Sequence, residues 1–96
     1  MSQITKIIQS PLFASQKKKL HKNQIKNLDE AIRTIAQNPE QGSGKVGDLS
    51  GVFVYKFNSV SSLVLLAYEI SDKTLFLYSF GSHQNFYKEL KKYINR

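Results

Sequence analysis

Four side chains from residue 45 onward have the types needed to break a phosphodiester: Lys45, Lys56, His83 and Tyr87. Cutting an RNA strand without a metal requires three tasks. A base removes the 2′-hydroxyl proton, cations hold the phosphate as its charge builds, and an acid protonates the departing 5′ oxygen. Histidine suits the acid or base role because its ordinary pKa lies near neutrality. Lysine supplies charge. Tyrosine stacks on a base or donates its hydroxyl to a phosphate. His83 and Tyr87 stand four residues apart in "GSHQNFY", one helical turn if a helix has begun there. Each also has a plain structural use. His83 can cap the helix after it, Tyr87 can fill the rim of a core, and Lys56 can be an ordinary surface lysine. His21 reads as a hairpin-turn residue and Asn85 as a helix cap.

Other chemistries fit poorly. The two histidines, His21 and His83, are far apart, there is no cysteine, and no acid pair accompanies either, so no metal site is expected. "GSGKVG" lacks the spacing of a phosphate-binding loop and reads as a turn carrying Lys45. No serine sits in a G-x-S-x-G elbow. Asp48, Glu69 and Asp72 are scattered, which suits turns and strand surfaces better than paired carboxylate chemistry. No cofactor is implied.

The elements that would position these groups follow from periodicity. "QITKIIQ" is rich in β-branched residues and reads as a strand, stopped by "SPLF". Ser10 can cap a helix whose first residue is Pro11, with Leu12, Phe13 and Leu20 inward and Lys17, Lys18 and Lys19 outward. A second helix is expected over about residues 23–37, where Ile25, Leu28, Ile32 and Ile35 form one stripe. The two make an antiparallel hairpin. From Val46 the period becomes two: Phe53, Tyr55 and Phe57 share one face, Val52, Val54 and Lys56 the other. "LVLLAYEI" is nearly continuous in apolar character, as in a central strand covered on both faces. "TLFLYSF" follows a tight "SDK" turn. A terminal helix should begin near Asn85 or Phe86, with Phe86, Leu90, Tyr93 and Ile94 on one face. The expected fold is α+β: an N-terminal strand at the sheet edge, a helical hairpin on one face of an antiparallel meander, and a short C-terminal helix. The other face should be half open, with Lys56 on it.

The 96 residues fit one domain, 1–96. Fourteen basic residues against seven acidic ones give a net charge of +7. The excess is concentrated: residues 1–28 hold six lysines and no acid. Such a chain is drawn to polyanions or an acidic partner. Lys17, Lys18, Lys19, Lys88 and Lys91 are candidates for RNA or ribosome contact, against the plainer reading of a solvated face, and Tyr55 for base stacking. No apolar run approaches the ~20 residues that span a bilayer, and "MSQITKIIQS" does not resemble a signal peptide. A soluble cytoplasmic protein is expected.

Taken in order, several segments resemble the RelE/ParE superfamily of toxins from bacterial type II toxin–antitoxin pairs. "SPLFASQKKKL" is similar to the family's first helix and "AIRTIAQNPEQG" to the end of its second, with an N-P-x-x-G pattern. "GDLSGVFVYKF" is similar to the L-x-G-x-x-x-Y/F-[KR] strand, "LLAYEI" to the R-[LI]-[IVL]-Y-x-[IV] strand, and "LYSFGSHQNFY" to the last strand and its exit. The resemblance implies a RelE-like fold and an antitoxin partner. In one branch it implies ribosome-dependent cleavage of mRNA, with His83, Tyr87 and Lys56 at the positions of active residues and Lys45 on the approach loop. In another it implies inhibition of DNA gyrase without nuclease activity. A toxin that only binds its antitoxin and co-represses their operon is a third form. One departure stands out: where the family often has arginine early in the "LLAYEI" strand, "SSLVLL" has no basic group.

Overall fold

Ser10 makes the first change of direction and ties three elements together. The computed structural model describes residues 4–44 and 51–94, and for 83–85 and 93–94 the backbone only. Strand β1 (Lys6–Gln9) ends at Ser10, which is extended at φ −68°, ψ 160° and so leaves its hydroxyl facing the next turn. That hydroxyl accepts from the Phe13 N–H at 2.9 Å, capping helix α1 (Pro11–Lys18), and donates to the Tyr78 carbonyl at 2.6 Å. Pro11 occupies the first turn, where a missing N–H costs nothing. Ser10→Ala should lower unfolding free energy by about 1–2 kcal/mol, since it removes a cap and a second hydrogen bond together. A shift of the urea midpoint at unchanged slope would show this.

Helix α2 (Lys22–Gln37) follows α1 after a short connection and buries Leu28, Ala31, Ile32 and Ile35. Lys17 on α1 pairs with Asp29 on α2 at 3.1 Å. Pro39 ends α2, and a 3-10 turn (Pro39–Gln41) leads to a two-residue strand, β2 (Ser43–Gly44). The turn is pinned from the sheet: the Tyr68 hydroxyl donates to the Pro39 carbonyl at 2.6 Å and accepts from the Gly42 N–H at 3.0 Å. A Cβ at Gly42 would lie 2.6 Å from that hydroxyl oxygen, so only glycine fits without displacing the ring.

Strands β3 (Phe53–Ser59), β4 (Ser62–Ser71) and β5 (Thr74–Ser82) form the meander. Both hairpin turns have two left-handed residues, Val60–Ser61 and Asp72–Lys73, the geometry that matches strand twist. The sheet order is β1-β5-β4-β3-β2, with β1 parallel to β5 and the other pairs antiparallel. β4 is central, and Leu65 through Tyr68 are all buried.

The two faces carry separate cores. On one, α1 and α2 cover Leu66, Tyr68, Leu75, Leu77 and Phe80, with Phe53, Tyr55 and Phe57 at the margin. Phe13 meets Phe80 edge-on at 5.1 Å. On the other, helix α3 (His83–Ile94) sets Phe86 and Leu90 against Val52, Val54, Leu65 and Ala67. The ladder shifts between Ala67 and Tyr68, so Tyr78 bulges out unopposed and packs at the edge of this second cluster.

The expected α+β architecture is borne out, with two kinds of correction. The face expected to be half open is covered by α3, because Phe86 and Leu90 bury the apolar residues Val52, Val54, Leu65 and Ala67 there, and only its margin at Lys56 stays exposed. Some boundaries also move. α3 begins at His83 rather than near Asn85 or Phe86, because β5 passes into it with no intervening loop. The first strand is four residues long, and α1 ends at Lys18, leaving Leu20 beyond it. Among the described residues, no helix is long and apolar enough to cross a membrane.

Candidate functional site

The register of three strands decides where Lys56 stands. Lys56 lies opposite Leu65, and Leu65 lies opposite Gly81 on the next strand. Residues paired across a sheet share a face. Leu65 is fully buried beneath Phe86 and Leu90, so this is the face α3 covers. Lys56 is exposed at the end of the same row. With strands about 4.8 Å apart, the Cα atoms of Lys56 and Gly81 are about 10 Å apart. Two residues after Gly81 the chain enters α3 at His83.

Tyr87 is one helical turn further along α3. It is half-buried at the rim of the second core, its ring 5.2 Å from that of Phe86 and nearly perpendicular to it. Lys88 and Lys91 are exposed on the same helix. The structure therefore gathers Lys56, Tyr87, Lys88, Lys91 and the backbone of His83 on one side of the sheet.

Other candidates stand elsewhere. Tyr55 stacks on Phe57 at 6.2 Å on the opposite face, against the helical hairpin. Lys17, Lys18 and Lys19 lie at the end of α1 on that same side. Lys17 is engaged with Asp29, whereas Lys18 and Lys19 are exposed. Lys45 lies outside the described residues. His21 caps α2 through its backbone, its N–H donating to Gln24 Oε1 at 2.9 Å. Among the described residues no group of three or more His, Cys, Asp or Glu side chains could hold a metal ion.

Residues 7–91 match the model of the ParE-like toxin family of type II bacterial toxin–antitoxin systems. The chain belongs to that family. The toxin's fold is shared by solved structures of low sequence identity. A mutant of the E. coli toxin RelE in the free state is 16% identical with a TM-score of 0.73, covering 99% of this chain and 96% of that one. A YoeB–YefM complex from Staphylococcus aureus is 19% identical with a TM-score of 0.67, covering 84% and 98%. The intact E. coli RelBE toxin–antitoxin complex is 18% identical with a TM-score of 0.65, covering 82% and 96%. A search of curated proteins gave no match. The resemblance to the RelE/ParE superfamily read from the strand and helix motifs is borne out.

Two features of the toxin escaped sequence reasoning. Glu69 and Tyr78 form a pair on the α3 side, the phenol donating to Glu69 Oε1 at 2.5 Å. Glu69 was legible as a charge interrupting an apolar strand, but the bulge that brings Tyr78 over it has no local sequence signature. The second is a polar cleft of ≈ 220 Å³ between α1, the end of β5 and α3. Its polar side chains are Ser79, Ser82 and Glu89 together with Gln16, which lies more than sixty positions away in sequence and joins them only through the fold.

Proposed function

We propose that this toxin is a ribosome-dependent mRNA endoribonuclease, acting by metal-independent acid–base chemistry and restrained by an antitoxin protein. The observation that supports it most is the cross-strand row from Lys56 through Leu65 to Gly81, which sets an exposed ammonium on the face where β5 hands the chain to His83. In this reading the messenger's scissile phosphate lies at the exposed margin of that face, beside Lys56 and the start of α3. His83 exchanges the proton: it takes one from the 2′-hydroxyl or gives one to the 5′ oxygen. The 2′ oxygen bonds to phosphorus as the bond to the 5′ oxygen breaks, leaving a cyclic phosphate and a free 5′-hydroxyl. Lys56 neutralises charge building on the phosphoryl oxygens, aided by Lys45. Tyr87 stacks on a base or bonds the phosphate. Lys88 and Lys91, with the α1 lysines, supply electrostatic attraction to ribosomal RNA.

An antitoxin partner is supported by family membership and by the YoeB–YefM and RelBE complexes among the structural neighbours. A chain of net charge +7 suits an acidic segment that folds on binding.

Inhibition of DNA gyrase is the second reading, and one observation favours it. β4, in the middle of the sheet, carries no basic side chain anywhere from Ser62 to Ser71. The phosphate clamp therefore lacks an arginine fork. Induction of the toxin followed by primer extension on cellular messenger separates the two. The nuclease reading expects new 5′ ends within coding regions. Intact messenger with broken DNA would assign the toxin to gyrase instead, and harmless overexpression would leave only antitoxin binding.

A further inference from the structure

The polar cleft beside His83 has a composition that a phosphate would not choose. It is lined by Gln16 from α1, Ser79, Gly81 and Ser82 from β5, and Phe86 and Glu89 from α3. Among the described residues no lysine or arginine borders it, and the one formal charge is the carboxylate of Glu89. In a chain of net charge +7 that is a local inversion. A carboxylate on an RNA path repels the backbone and is tolerable where it meets the N–H donors of a base edge.

Ser79 gives a second, independent pointer to a ligand. Its residue is only 4% exposed, yet its hydroxyl has no hydrogen bond among the described residues. No buried side-chain polar atom among them lacks a partner, so this hydroxyl reaches solvent, and the cleft is the opening it lines. Gln16 is anchored by its carbonyl oxygen, which accepts from the Phe80 N–H at 3.1 Å just beyond the end of β1 pairing. The amide nitrogen, with its two donors, is uncommitted among the described residues. The cleft thus offers a bidentate acceptor, a free hydroxyl and an amide donor, with an aromatic wall.

We propose that this cleft is a base-recognition subsite that takes guanine, an inference that rests on the nuclease reading above. Guanine alone among the four bases presents two adjacent N–H donors, N1 and N2, on its pairing edge, and they match the two oxygens of Glu89. Its O6 accepts from the Ser79 hydroxyl or the Gln16 amide. Because Gly81 and Ser82 immediately precede His83, a base held here belongs to a nucleotide adjoining the scissile phosphate.

The test is transcriptome-wide mapping of cut sites after induction of wild type, Glu89→Gln and Ser79→Ala, with circular dichroism confirming that both purified variants are folded. The expected result is guanine enrichment beside the wild-type cut that falls about tenfold in Glu89→Gln, the size of one bidentate base contact, and by less in Ser79→Ala. Unchanged guanine preference in Glu89→Gln would overturn the subsite while leaving the nuclease reading standing. Wild type that cuts no messenger would overturn both. Folded variants that keep the wild-type cut pattern but escape neutralisation by the antitoxin would assign the cleft to a protein partner and overturn the proposal.

Discussion

Replacing His83 with alanine is expected to slow messenger cleavage by about 10²–10⁴-fold on programmed ribosomes, the usual contribution of a positioned acid or base. Lys56→Ala should cost about 10²–10³-fold, comparable to loss of one group that stabilises charge in the transition state. Lys56 is exposed, so its effect should fall on the rate and leave the urea midpoint near that of wild type, and the same midpoint measured for His83→Ala separates lost chemistry from lost folding. Rates measured at saturating ribosome separate this from weakened docking, which would raise the concentration needed and spare the maximal rate. Lysines such as Lys88 and Lys91 should behave in that second way, with a strong dependence on salt. Full toxicity of the His83 variant would remove the proposed site.

Tyr68→Ala should cost about 3–5 kcal/mol of stability, near the top of the range for a single substitution. Its ring is fully buried and stacks on Phe53 at 5.6 Å, and its hydroxyl bridges the Pro39 carbonyl and the Gly42 N–H. Tyr68→Phe isolates the second part: two main-chain groups lose their partner while the ring stays, which should cost about 1–3 kcal/mol. Chemical denaturation of the three proteins gives both numbers. The phenol also has a pH signature. Burial, the largest influence, raises its pKa above the ordinary value near 10, with the Gly42 hydrogen bond acting the other way and Tyr55 adding a small upward push. The fold therefore favours the protonated form. The stability this confers is complete below pH 10, where the unfolded chain is also protonated, and is lost as pH rises through the higher folded value. Wild type should lose more stability than Tyr68→Phe between pH 8 and pH 11. Parallel losses would show that this phenol does not carry the dependence.

The fold was legible where short-range pattern and burial coincide. The stripe Leu28, Ile32 and Ile35 became the buried face of α2, and the unbroken apolar run of β4 became the central strand. The alternation in β3 correctly set the aromatics toward the hairpin and Lys56 away from it. What could not be read depends on partners distant in sequence. The parallel pairing of Lys6–Gln9 with Thr74–Leu77 joins residues nearly seventy positions apart. The Tyr78 bulge exists only relative to β4, and the hold of Tyr68 on Gly42 bridges the helical turn and the sheet. α3 starts earlier than "GSHQN" suggests, because Gly81 and Ser82 continue β5 directly to the helix. For the site, residue type named Lys56 and Tyr87, but only register puts Lys56 and the start of α3 on one face. Tyr55 looked equally suited to stacking on RNA, and packing against Phe57 places it behind the sheet.

The most direct measurement is single-turnover cleavage by Lys56→Ala, His83→Ala and the double variant on ribosomes carrying a defined messenger. Groups that serve one phosphodiester act as a unit, so the double variant should be little slower than the worse single one. A Lys56→Ala protein that cuts at the wild-type rate, or a double variant whose loss is the product of two independent losses, would contradict a shared site on the α3 face.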